Sequence, residues 1–207
     1  MEDPLQFFPR LHTWLHTRWI GSTYPFRKFG HGVSVTHSCD ILRSIAHEIA
    51  IDDKVYLAPD VWLNVVPGPS GPEPKITIGP RCGIGRRSMI SAKNQIVLED
   101  FVLFAPGVLV MDHNHEFADI SQPISAQGVT EGGKIRIEKN CWLGFGAVVL
   151  CGSGELVVGR NSIIGANSVV TRSVPPYSIM AGNPAKLVKR YDAQSQKWVK
   201  ASESALS

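Results

Sequence analysis

The sequence predicts an all-β protein, a parallel β-helix, and three observations carry that expectation. Apolar residues, nearly all aliphatic, recur at intervals of six: Ile45, Ile51, Leu57 and Leu63; Ile78, Ile84 and Ile90; Leu98, Phe104 and Val110; Ile137, Leu143 and Val149; Val158, Ile164 and Val170. The next position is usually small or acidic, as at Ala46, Asp52, Gly79, Gly85, Glu99, Gly144 and Gly165. Four residues after each aliphatic comes a second small or branched residue, among them Val55, Cys82, Ser88, Val102, Cys141, Ala147, Ser162 and Ser168. A helix has a period of 3.6 and a half-buried strand a period of 2, so neither produces this pattern. A fixed hexad does, when each unit forms one short flat strand and one corner.

Three such units close a triangular coil, with the aliphatic residue filling the interior and the small residue fitting the narrow corner. Coils then stack by strand pairing at about 4.8 Å. Each coil buries its inner face only against its neighbours, so several are needed. The sixteen legible hexads make about five coils, enough for a stable stack. Glycine after the aliphatic is expected at corners that need unusual backbone angles. An antiparallel sandwich is the competing all-β architecture, and it has no reason to keep a register of six.

The elements follow in chain order. Residues 1–34 read as a helical and extended segment, with a short amphipathic helix near residues 11–19. That helix is expected to pack on the prism or on a neighbouring subunit, and its Trp, Phe and Arg content makes membrane-surface contact the lesser alternative. Residues 35–181 form the β-helix, and residues 182–207 a tail expected to end as a helix. The repeat breaks three times, and a solenoid pushes such insertions out as loops, often on its binding face. Residues 66–75 (VPGPSGPEPK) are stiff and short of ladder donors, which suits either a lid or a passive loop. Residues 112–134 open with DHNHEFADISQPISAQG and place two histidines between regular coils. Residues 151–157 (CGSGELV) lengthen one corner by about three residues.

Composition excludes several classes. The 207 residues are 43% hydrophobic, which fits one domain with appendages. A net charge of +3 without a basic stripe gives no case for nucleic acid. No apolar run reaches membrane-spanning length, and the start lacks a signal peptide's apolar core, so a reducing cytoplasm with free thiols is expected. The four cysteines have no metal-type spacing, and Cys82 and Cys141 sit on small corner positions.

The stretch IEKNCWLGFGAVVL and then VVGRNSIIGANSVVTRSVPPYSIMAGNPAKLVKR carries W-L-G, I-G-A-x-S-V-V-T, P-P-Y-S and G-N-P-A in order. These residues resemble the hexapeptide-repeat acyltransferases, nearest the branch of galactoside, maltose and polysaccharide O-acetyltransferases. The resemblance spans residues 33–190, about three quarters of the chain. It implies a left-handed β-helix, a homotrimer with sites between neighbouring prisms, and acetyl-CoA as co-substrate without a metal. It also implies acetylation of a sugar hydroxyl, in a sugar or polysaccharide acceptor of surface-polysaccharide synthesis. An amino sugar or a xenobiotic is the alternative acceptor, and a noncatalytic β-helix scaffold the alternative class.

The resemblance also implies site residues. The active histidine sits on the loop leaving the middle coils. Counting without a gap from Gly107, after Ala105-Pro106, reaches His115, with His113 the competitor. Imidazole would take the acceptor's proton as its hydroxyl attacks the thioester, and an acid would orient it, with Asp112, Glu116 and Asp119 as candidates. The backbone N–H of Phe145 would hold the oxyanion. Trp142 and Gly144 would lie beside the thioester, and Gly165 and Ala166 along the pantetheine arm. Thr171, Arg172, Lys186, Lys189 and Arg190 form a largely basic cluster suited to CoA phosphates. Asn94, Asp112 and Glu116 are expected to face the acceptor. Zinc, as in a γ-type carbonic anhydrase with the same fold, needs three protein ligands, whereas only His113 and His115 stand close in sequence.

Overall fold

From Ile51 onward every hexad aliphatic points into one interior: Ile51, Leu57 and Leu63 in one coil, Ile137, Leu143 and Val149 in another, all buried. They do so because each corner comes after the same number of residues, so each strand begins in the same phase. The protein is seen in a computed structural model that describes residues 7–68 and 71–201.

Three parallel sheets wall a left-handed β-helix of six coils. The first wall holds β1 (Lys28–Phe29), β4 (Ile49–Ile51), β7 (Ile76–Ile78), β10 (Gln95–Leu98), β13 (Gly132–Ile137) and β16 (Ser153–Val158). The second holds β2 (Ser34–Val35), β5 (Tyr56–Leu57), β8 (Gly83–Ile84), β11 (Leu103–Phe104), β14 (Trp142–Leu143) and β17 (Ile163–Ile164). The third holds β3 (Asp40–Ile41), β6 (Trp62–Val65), β9 (Met89–Ala92), β12 (Leu109–Met111), β15 (Val148–Leu150) and β18 (Val169–Val170). Like positions stack on like, as Ile51 on Ile78, Ile78 on Leu98 and Leu98 on Ile137.

The corners use their glycines differently from the expectation. The left-handed backbone falls three residues after the aliphatic, at Lys54, Asp60, Arg81, Arg87, Phe101, Asn140, Asn161 and Asn167, and at Gly107 and Gly146. The glycines directly after the aliphatics keep ordinary angles and are small for another reason. A Cβ on Gly85 would lie 2.5 Å from the Ala105 carbonyl carbon, and one on Gly144 2.8 Å from the Ala166 nitrogen. Close stacking of backbone on backbone excludes a side chain there.

The prism starts earlier than residue 35. Phe29, Val35 and Ile41 form a first coil, with Ile41 and Val35 buried. A 3₁₀ segment, Arg43–Glu48, then breaks the phase, so Ile45 sits on that segment and only partly buried, outside the strands. The helix α1 (Phe7–Thr23) closes this end of the stack. Thr17 Oγ1 accepts the Val35 N–H at 2.9 Å, supplying the acceptor that a preceding coil would have given.

The expected C-terminal helix is a correction. Over the described residues the tail forms strands: β19 (Ser178–Ala181) continues the second wall, and β20 (Lys186–Asp192) and β21 (Lys197–Lys200) follow antiparallel. Asp192 closes the turn by accepting the Gln194 and Ser195 N–H groups at 3.2 and 3.1 Å. Tyr191 pairs across the strands with Trp198, rings 5.5 Å apart. An aspartate turn and an aromatic cross-strand pair favour a hairpin over helix.

Candidate functional site

All three interruptions of the repeat leave one edge of the prism, between the third and the first wall. Residues 66–75 connect β6 to β7, residues 112–131 connect β12 to β13, and residues 151–152 connect β15 to β16. The long insertion returns on itself. Glu116 donates to Gly128 O at 3.1 Å, Thr130 to Asn114 O at 2.8 Å and Gly133 to Asp112 O at 2.7 Å, and His115 bridges Val129 antiparallel. Its tip is closed by Asp119, whose carboxylate accepts from Ser121 and Gln122.

The root of this loop is Asp112. Its side chain is 0% exposed and accepts the backbone N–H groups of Lys93, Asn94 and Gln95 at 2.7, 2.9 and 2.9 Å. His113, 7% exposed, adds its Nδ1 at 3.0 Å. A carboxylate only accepts, so this nitrogen carries the hydrogen. Asn94 gives both amide hydrogens to the returning strand, at Glu131 O (2.8 Å) and Gly133 O (3.1 Å). Lys93 Nζ reaches Thr130 O at 2.5 Å. Lys93, Gly128 and Thr130 were not among the candidates, since nothing in the repeat marks them.

His115 is exposed, and its Nδ1 meets Gly128 O at 3.3 Å. A carbonyl also only accepts, so the neutral ring holds its hydrogen on Nδ1 and leaves Nε2 as a lone-pair acceptor. Two of the three candidate acids are engaged otherwise, Asp112 with His113 and Asp119 within its own turn, and the Nδ1 of His115 meets Gly128 O and not Glu116. A backbone carbonyl, not an acid, orients His115.

Trp142, Gly144, Phe145, Gly165 and Ala166 lie on the second wall or on the edge between the second and third walls. Trp142 stands outward on β14, half exposed, between Leu103 and Ile163. The residues after Gly144 and Gly165 are Phe145 and Ala166, at equivalent places in successive coils. Around them, Gly146 donates to Pro106 O at 3.1 Å and Asn167 to Phe145 O at 2.8 Å. Among the described residues the Phe145 and Ala166 N–H groups have no backbone acceptor, and the equivalent position one coil earlier is Pro106, which has no N–H.

Thr171, Arg172, Lys186 and Arg190 line a cavity of ≈ 620 Å³ under the hairpin, and Lys189 does not line it. Burial pushes the Cys82 thiol up to about 12 and the Cys141 thiol up to about 11. Within one prism the histidine loop and the Trp142 row therefore occupy different edges. Among the described residues no three His, Cys, Asp or Glu side chains come together as a metal site.

No family model matches the chain. It is 34% identical over 117 residues to Rv3034c of Mycobacterium tuberculosis, an acetyltransferase by assignment, covering 56% of this chain and 38% of that protein. It is 32% identical over 118 residues to WbbJ of Escherichia coli, a lipopolysaccharide biosynthesis O-acetyl transferase by assignment, covering 54% of this chain and 59% of that protein. The matched stretch is thus under two thirds of either relative's length. A variant of AntD, an N-acyltransferase from Bacillus cereus in complex with dTDP-4-amino-4,6-dideoxyglucose and coenzyme A, shares the fold. Its TM-score is 0.69 at 19% identity, covering 86% of this chain and 90% of that one. Sequence relationship and fold agree: the chain's homologues are acetyltransferases, and its fold is shared with structures of the hexapeptide-repeat acetyltransferase family.

Proposed function

We propose that the protein is an acetyl-CoA-dependent acetyltransferase acting on a sugar hydroxyl in surface-polysaccharide synthesis, with His115 as general base. The observation that carries the assignment is the contrast between the two histidines. His113 is buried against Asp112 and braces the loop, whereas His115 is exposed with Nδ1 occupied and Nε2 open. A base must reach its substrate, so the accessible ring is the one suited to the chemistry.

In this reading the acceptor hydroxyl gives its proton to His115 Nε2 while its oxygen bonds to the thioester carbonyl carbon. The resulting oxyanion is held by the Phe145 N–H. Collapse expels CoA thiolate, which takes the proton back from the imidazolium. No covalent enzyme intermediate is needed, and the raised thiol pKa values of Cys82 and Cys141 suit neither to carry acetyl. Trp142 and the Ala166 N–H would flank the thioester arm, and the Thr171, Arg172 and Lys186 cavity would take the phosphates. Because the loop and the Trp142 row lie on different edges, one site would combine the loop of one prism with the row of its neighbour in a homotrimer. The likeness to AntD supports a second reading, transfer to the amine of an amino sugar.

Thiol release from acetyl-CoA with hydroxyl and amino sugar acceptors tests both readings. His115→Ala should lose about 10²-fold or more in turnover with an unchanged melting temperature, while His113→Ala should lower the melting temperature. An inactive but fully stable His113→Ala beside an active His115→Ala would overturn the choice of base.

A further inference from the structure

The helix α1 turns Phe8, Leu11 and Leu15 away from the prism and leaves Trp19 half exposed beside Tyr24. It packs through Thr13, Thr17 and Ile20, with Thr17 and Ile20 buried. On the opposite face Phe8, Leu11, Leu15 and Trp19 follow one another at helical spacing, and Phe8, Leu15 and Trp19 are 76%, 52% and 55% exposed. An amphipathic helix of a globular domain normally turns this stripe inward. At the border of the stripe the Arg18 guanidinium lies 5.2 Å from the Trp14 ring centre. Both line a groove of ≈ 950 Å³ between helix and first coil.

Charge says what covers the stripe. Between Asp3 and Asp40 the sequence has no Asp or Glu, and the helix itself carries Arg10 and Arg18, whereas Lys28 beyond it is paired with Asp52 at 2.7 Å. An apolar stripe containing tryptophan and flanked by cations, in a stretch free of acids, matches the interface of an anionic bilayer. There aromatic rings sit at headgroup level and each cation adds attraction. Among the described residues no helix is long and apolar enough to cross a membrane. We propose that α1 is an interfacial anchor, lying in the plane of an anionic lipid surface on its Phe8–Leu11–Leu15–Trp19 face and holding the prism against it.

The test is co-sedimentation of the full chain with vesicles of phosphatidylcholine alone or mixed with phosphatidylglycerol, at low and high salt. The protein should pellet with the mixed vesicles, much less with the neutral ones, and less as salt rises. Leu15→Ser, on the face opposite the packing contacts, should weaken binding by about tenfold without lowering the melting temperature. Arg18→Gln should weaken it by about fivefold at low salt. Absence of binding to the mixed vesicles, or equal binding by Leu15→Ser, overturns the proposal. So does a lipid-free Leu15→Ser protein that sediments as a smaller assembly while the wild type ignores vesicles, since the stripe is then a contact between subunits.

Discussion

Two edges of the prism turn in the period of the hexad, and the third does not. On the regular edges nearly every turn has a left-handed residue three places after the aliphatic and a small or acidic residue directly after it, as at Lys54, Gly85 and Asp52. On the irregular edge residues 43–48, 66–75 and 112–131 interrupt the chain. There the close approach of strands is secured by polar atoms, chiefly the Asp112 carboxylate gathering three backbone N–H groups. At the regular edges backbone pairs with backbone and leaves no room for a side chain, whereas at the irregular edge side-chain groups such as the Asp112 carboxylate and the Asn94 amide join the strands. A solenoid can therefore carry a long loop without changing the pitch of its coils.

That comparison can be broken most directly at Asp112. Asp112→Ala strands three buried donors and the His113 ring, and should cost about 3–5 kcal/mol in denaturant unfolding. A loss below about 1 kcal/mol would mean that the irregular edge does not depend on this carboxylate. The regular edges are sharpened by a pair of variants. Gly85→Ala should cost about 1–3 kcal/mol, because its Cβ meets the backbone of the next coil. Lys54→Gly should stay within about 1 kcal/mol of wild type, because relief of a left-handed side chain is offset by unfolded-state entropy. Equal effects in thermal melts would show that backbone angle, not volume, rules these corners.

The smallest expected effect is at the capped end of the stack. Burial, and then the nearby His12 and His37, hold His16 below its ordinary value of 6.5. The folded state therefore binds fewer protons there than the unfolded chain. Stability is full above pH 6.5 and falls as the pH drops through 6.5 toward the lower folded value. His16→Gln should flatten that part of a melting-temperature profile, and an unchanged slope would remove His16 from the account.

How much was legible follows the same division. The interior from Ile51 to Val170, the small corners at Cys82 and Cys141, and the place of the long loop all followed from the period of six. The first coil was missed because its single cycle of Phe29, Val35 and Ile41 is cut off by the 3₁₀ segment before the phase repeats. In sequence the tail looks helical and solvated, whereas the Asp192 turn and the Tyr191–Trp198 pair decide for strands. At the candidate site the histidine loop was visible in DHNH, but its hydrogen bonds were not. Gly128, which takes the Nδ1 of His115, is thirteen residues away and follows no repeat rule.

The insertion is fastened twice before its tip begins, first at Asp112 and again at the bridge between His115 and Val129. Beyond the second fastening, residues 117–127 satisfy their own polar groups through Asp119 and Gln127. The tip is thus an exchangeable cassette. A change of sequence within residues 117–127 need not move the His115 ring, because the ring is fastened outside them, at Gly128 and Val129.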